Sequence, residues 1–150
     1  MFTSGEILET IRMAVGSDYP IFIKINSEDF LPDGLTADDM IKASEILEKA
    51  GIDGIEMSAG TFLSGKNYPS RQGKPEPGQP ESYYDAAARR YKENIKTPLM
   101  VVGGIRSFEA AEGLVSEGIA DYIALCRPLI REPGLVNRWK SGDRRPAFCV

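Results

Sequence analysis

Two glycines directly after an apolar run, Gly103 and Gly104 in VVGGIRS, form the strongest chemical pattern in the sequence. Glycine lets a ligand approach the backbone closely, and Ser107 opens a helix whose first N–H groups lack partners, so the segment suits a phosphate. The same spacing also suits a tight strand-to-helix turn with no ligand. The companion element is ALCRPLI, in which Arg127 follows an apolar run and Pro128 can start a short helical turn. An anion held between these two runs would meet the Arg127 guanidinium and the amides of Cys126 and Arg127. The competing reading makes Arg127 a surface ion-pair partner. Cys126 itself reads as a small buried residue more than as a reactive thiol.

Lys24 is the odd residue in the apolar run IFIKIN. A cation there must reach water, a carboxylate or a ligand. It either snorkels at a strand end or points to a binding mouth, where it would stabilise an anionic ring or oxyanion. Glu56 in GIEMS reads as its ion-pair partner rather than as a base. Ser58 ends that same run and can face the same ligand. No residue is singled out as catalytic.

Composition removes whole classes of chemistry. The chain has 150 residues and no histidine, so it builds no Ser–His–Asp or Cys–His site and no His-ligated metal centre. A net charge of −4 leaves no basic excess for a nucleic-acid backbone. No apolar run approaches the roughly 18–20 residues of a membrane span, and no secretory leader is evident at the N-terminus. Two cysteines, Cys126 and Cys149, exclude a disulfide framework and make a reducing cytoplasm the default compartment.

The elements that must position these residues alternate between helix and strand. Helical spacing of Ile7, Leu8, Ile11 and Val15 ends at Gly16, and Tyr19-Pro20 leads into the strand IFIKIN, which reads as buried on most of its surface. Thr36 with Asp39 forms a capping box ahead of a helix that buries Ile41, Ile46, Leu47 and Ala50 and stops at Gly51. The strand GIEMS follows at residues 54–58. Residues 59–80 form a long Gly-, Pro- and Ser-rich loop with Phe62, Tyr68 and Arg71. A helix from Glu81 to Asn94, the strand LMVV, a Ser107-capped helix and the strand DYIAL complete the alternation. Residues 134–150 form a last helix and tail, with Arg138, Lys140, Arg144 and Arg145 on a solvated face.

Apolar strands joined by long crossovers make a parallel sheet covered by helices. An internal repeat narrows the choice. ASEILEKAGIDGIEMS at 43–58 matches AAEGLVSEGIADYIALC at 110–126, with Gly51 on Gly118 and, after the inserted Ala120, Asp53 on Asp121. Repetition by pairs of strand–helix units belongs to a (β/α)8 TIM barrel, which needs about eight strands and roughly 250 residues. The expected fold is therefore α/β, half of such a barrel in one domain over residues 1–150, with two open sheet edges. Such edges favour a homodimer or association with a complementary half-barrel.

KINSEDF, GIDGIEMSAGT, VVGGIRS and LCRPLIREPGLVNRWKSGD, in this order, closely resemble the C-terminal half of NADH:flavin oxidoreductases of the Old Yellow Enzyme type, including the 2,4-dienoyl-CoA reductase branch. The resemblance runs from about Ile7 to Cys149. It implies barrel strands five to eight, FMN as cofactor, and hydride passed from NAD(P)H to flavin and on to an activated alkene. It places Lys24 beside the flavin pyrimidine, Ser58 at the ribityl-phosphate region, Gly103 and Gly104 around the phosphate, and Cys126 and Arg127 at the last phosphate element. Most relatives have Gly before that Arg, so either Cys126 turns its side chain away or the site is altered. The family's first four strands, with the residues that grip the acceptor, would precede Gly5, so the chain reads as a fragment with little turnover of its own. Cys149 resembles the start of a cluster-binding Cys segment, but one Cys holds no iron–sulfur cluster. Two other readings remain at this stage. One is a non-catalytic, self-associating half-barrel that binds phosphate. The other is a fragment of a phosphate-binding isomerase or synthase barrel, which leaves KINSEDF and the LIREPGLVNRW tail unexplained.

Overall fold

The computed structural model describes residues 3–69 and 81–148. In chain order it contains α1 (Ser4–Val15), β1 (Phe22–Asn26), α2 (Ala37–Lys49), β2 (Gly54–Ser58), α3 (Asp85–Asn94), β3 (Leu99–Val102), α4 (Phe108–Ser116), β4 (Tyr122–Ala124), α5 (Arg127–Arg131) and α6 (Leu135–Lys140). Local chemistry sets the helix starts. Thr3 with Glu6 and Thr36 with Asp39 form reciprocal capping boxes on α1 and α2, and the Ser107 hydroxyl accepts from the Ala110 N–H on α4. No helix among the described residues is long and apolar enough to cross a membrane.

The four strands lie in the order β1-β2-β3-β4, every neighbour parallel. Strand periodicity sends alternate residues to opposite faces. Ile55, Met57, Leu99 and Val101 point to one face and are sealed there beneath Leu8 of α1, Met40, Ile41 and Leu47 of α2, Ala88 and Tyr91 of α3, and Leu114 of α4. Full burial of such a side chain is worth about 1.5–3 kcal/mol, so this layer holds the fold together. The opposite face carries Phe22, Lys24, Glu56, Met100, Val102 and Tyr122, and among the described residues the helices of the main core pack on the other side. Helices on one face, with strands wound in sequence order, mark a barrel segment; a doubly wound sheet has helices on both faces.

The internal repeat is written in hydrogen bonds. Asp53 donates its N–H to Ile21 O at 3.0 Å while its carboxylate accepts the Ile21 N–H at 2.7 Å. Asp121 does the same to Leu99, at 2.9 and 2.8 Å. Each clamp has a cation from the preceding helix, Arg12 on Asp53 and Lys92 on Asp121. The registers coincide as well, Phe22 opposite Gly54 and Met100 opposite Tyr122. A further carboxylate, Glu48, accepts from the N–H groups of Lys96 and Thr97 and from the Thr97 hydroxyl, tying α2 to the entry of β3.

Several expectations change. β1 only half-buries its isoleucine face, and Phe22 on the other face is 54% exposed. Ile7, Ile11 and Val15 of α1 and Ile46 of α2 are exposed, and α2 instead buries Met40 and Ser44. α3 begins at Asp85, not Glu81, because residues 81–84 cross the turn after β3, where Tyr83 donates its N–H to Gly103 O at 3.2 Å. Arg138 is not on a solvated face. Its side chain is 18% exposed and donates to Glu132, Asp143 and the carbonyls of Asp143 and Arg145. Arg144 lies 4.1 Å over the Phe108 ring, which meets Trp139 edge-on. Arg71 and Cys149 lie outside the described residues.

Candidate functional site

The C-terminal ends of the strands open into a cleft of about 250 Å3 on the uncovered side of the sheet. All six residues singled out from the sequence, Lys24, Ser58, Gly103, Gly104, Cys126 and Arg127, line it. They come from all four strand ends. Parallel pairing in register is what gathers residues that lie a hundred positions apart in the chain.

Lys24 and Glu56 face each other across β1 and β2, with Nζ 2.8 Å from Oε1. The ion-pair reading of Glu56 holds. Half of the Lys24 side chain remains exposed, and it reaches the cleft while Glu56 does not line it. Ser58 donates its hydroxyl to Asn26 Oδ1 at 3.0 Å, and Asn26 in turn donates to Gly60 O at 3.0 Å. The Ser58 proton is thus committed to a protein acceptor, which leaves its oxygen as an acceptor.

The glycine pair has a structural cause that its spacing alone left open. Both adopt positive φ, 106° at Gly103 and 82° at Gly104. A Cβ on Gly104 would sit 1.8 Å from Glu81 O, and one on Gly103 would sit 2.8 Å from the Tyr84 ring. The free helix-start amides expected after GGI are also filled. The Glu81 carboxylate accepts from the N–H groups of Arg106 and Ser107, both at 2.8 Å, and from the Ser107 hydroxyl at 3.0 Å. Residues 81–84 thus pack against the turn from one side, and the cleft lies against it from another. Cys126, expected to be buried, is exposed. β4 stops at Ala124, so the residue before α5 has no core to enter.

Sequence reasoning missed Arg106, which is buried and lines the same cleft, and Tyr84, whose hydroxyl donates to Ala59 O at 3.2 Å. The signal for Arg106 was present, a cation two residues beyond the glycines in VVGGIRS. With it the lining holds three cations, Lys24, Arg106 and Arg127, and no carboxylate among the described residues. Apolar walls come from Val102, Ile105, Leu125 and Pro128. In a chain of net charge −4, that concentration of positive charge has the chemistry an anion would need.

The geometry agrees with what comparison with known proteins shows. Residues 2–145 match the NADH:flavin oxidoreductase / NADH oxidase family, and the chain belongs to it. An NADH oxidase from Thermoanaerobacter brockii is 33% identical over 138 residues, covering 91% of this chain and 20% of that enzyme. Among solved structures, a 2-naphthoyl-CoA reductase superposes with a TM-score of 0.79 at 27% identity over 97% of this chain and 22% of its own. An old yellow enzyme homologue from Zymomonas mobilis, 17% identical, shares the fold with a TM-score of 0.65 over 92% of this chain and 36% of its own. The chain therefore spans about a fifth to just over a third of these relatives. Its sheet is a four-stranded parallel piece of the TIM barrel of Old Yellow Enzyme-type proteins. Membership implies FMN as cofactor, and the cation-rich, carboxylate-free lining fits a phosphate-bearing ligand.

Proposed function

We propose that this chain forms the FMN-phosphate side of an NAD(P)H-dependent flavin oxidoreductase, barrel strands five to eight, and that the acceptor-gripping side comes from four further strands. The observation that carries the proposal is the convergence of Lys24, Arg106, Arg127 and the Gly103-Gly104 turn on one cleft without a carboxylate in its lining. Arg106 and Arg127 hold the phosphate by charge-assisted hydrogen bonds beside the glycine turn. Lys24 gives a positive counter-charge further along the same cleft, toward the reduced ring. Val102, Ile105, Leu125 and Pro128 exclude water along the walls. FMN, when bound, supplies the hydride chemistry between NAD(P)H and an acceptor, and the protein supplies orientation and charge.

Size supports this division of labour. Complete ligand pockets run to about 300–1,000 Å3, so a cleft of about 250 Å3 suits one end of a nucleotide. The ring system then needs walls from the other four strands, and this chain alone turns over little or no NAD(P)H. The working compartment is a reducing cytoplasm. The same small cleft also favours a second reading, a non-catalytic phosphate-binding half-barrel. Titration of the chain with FMN, followed by flavin fluorescence, separates the two. We expect saturable binding that Arg127→Ala weakens about tenfold or more, the scale of a lost charged hydrogen bond. FMN binding no tighter than that of inorganic phosphate favours the second reading, and binding insensitive to Arg127 contradicts both.

A further inference from the structure

The turn after β3 is packed and hydrogen-bonded by residues 81–84 from Gly103 to Ser107. Tyr83 donates its N–H to Gly103 O at 3.2 Å, and the Glu81 carbonyl lies so close to Gly104 that a Cβ there would meet it at 1.8 Å. The Glu81 carboxylate accepts from the N–H groups of Arg106 and Ser107, both at 2.8 Å, and from the Ser107 hydroxyl at 3.0 Å. Tyr84 ties the segment to a second strand end, its hydroxyl donating to Ala59 O at 3.2 Å just beyond β2. Residues 81–84 thus brace two neighbouring strand ends, and Tyr84 lines the cleft.

The carboxylate is not there to cap a helix. The unpaired amides of a helix lie in its first turn, and in α4 the Ser107 hydroxyl already accepts from the Ala110 N–H at 3.1 Å. Glu81 instead takes the amides of Arg106 and Ser107, the two residues before α4. Arg106 is held from its other side as well, because its carbonyl accepts the Ala147 N–H at 2.7 Å. Both backbone groups of this cleft-lining cation are therefore fixed by partners remote in sequence. Backbone conformation limits the rotamers open to a side chain, and a charged group already in place loses little freedom when a ligand arrives. Arg106 is only 9% exposed, in keeping with a side chain fixed in advance.

We infer that Glu81 is a positioning residue for the phosphate end of the cleft: its carboxylate holds the Arg106 backbone, and through it the guanidinium, where an arriving phosphate meets it. The inference rests on the reading of the cleft as the FMN-phosphate side, and it concerns a residue that does not itself line the cleft. Two effects of Glu81 oppose each other. Its negative charge repels a nearby phosphate through space, whereas its hydrogen bonds order the cation that attracts one. Their signs differ, so a charge-removing substitution decides which prevails.

Titrations of the full chain with FMN and with riboflavin provide the test. Glu81→Gln keeps the size and an acceptor oxygen but removes the charge. Repulsion alone predicts tighter FMN binding. Positioning predicts FMN binding weakened about fivefold in Glu81→Gln and about tenfold in Glu81→Ala, with riboflavin affinity unchanged in both. Asp53→Asn, which loosens a clamp at the opposite ends of the strands, controls for lost stability and is expected to keep the wild-type ratio of the two affinities. Circular dichroism checks that each variant folds, and Glu81→Gln decides where Glu81→Ala does not. An unchanged ratio in folded Glu81→Gln, tighter FMN binding, or a parallel loss for both ligands each overturns the inference. Failure of both variants to fold assigns Glu81 to stability and overturns it too. A wild-type chain that binds the two ligands equally overturns the phosphate reading as well, whereas a failure of Glu81 alone leaves that reading standing.

Discussion

At the scale of single residues, the site is a matter of how three cations are spent. Lys24 is already paired with Glu56 at 2.8 Å, so an arriving anion meets a partly neutralised charge there, while Arg106 and Arg127 line the same cleft further along. Removing the competing carboxylate by Glu56→Gln should tighten FMN binding about fivefold, the equivalent of about 1 kcal/mol for a half-exposed pair, and flavin titration reads it. Weaker binding would mean that Glu56 orients Lys24 toward the ligand. Gly104 answers to the protein itself. Its φ of 82° and a virtual Cβ 1.8 Å from Glu81 O make Gly104→Ala costly, by at least about 2 kcal/mol in urea unfolding. The six residues that line the cleft could be singled out because each stands within or just after an apolar run as a charge, a hydroxyl, a thiol or a glycine. Arg106 and Glu81 were not. Arg106 drew no reading beside the glycines, and nothing local to Glu81 announces that its carboxylate serves amides 25 residues away.

At the scale of elements, carboxylates fix where strands begin. Asp53 and Asp121 hold the entries of β1 and β3, and Glu48 holds the entry of β3 from α2. The Ile21 N–H and Arg12 lower the pKa of Asp53, and the Thr97 N–H does so for Glu48. Burial raises that of Asp121, but the Lys92 ammonium and the Leu99 N–H outweigh it. A carboxylate whose pKa is lower folded than unfolded stabilises the fold above its unfolded pKa. That contribution is lost as pH falls through the folded value. Thermal stability should therefore decline as pH drops below about 4, the ordinary carboxylate range. Asp53→Asn and Asp121→Asn should each lower stability at neutral pH by about 1 kcal/mol and flatten that acid limb. An unchanged acid limb would show that the clamps do not titrate with unfolding. Strand positions and the α2 capping box could be read in advance, since both follow from local periodicity and capping chemistry. The start of α3 could not, because a tertiary contact, Tyr83 on the turn after β3, overrides a helical pattern.

At the scale of the whole molecule, one-sided helix packing makes this sheet a barrel segment and leaves its functional face open. The repeat of Asp53 on Asp121 predicted that architecture from sequence, because two strand–helix units carry the same turn chemistry. What the pattern could not show is which apolar residues remain uncovered. Phe22, Ile11 and Ile46 look like core residues in the sequence, yet all three are exposed. The same incompleteness defines the central claim: this piece of the barrel recognises the phosphate end of its cofactor by itself. Paired titrations of the chain with FMN and with riboflavin, which lacks the phosphate, test that claim most directly. The account predicts that FMN binds at least about tenfold more tightly and that Arg127→Ala removes most of the difference. Equal affinity for the two ligands would contradict it.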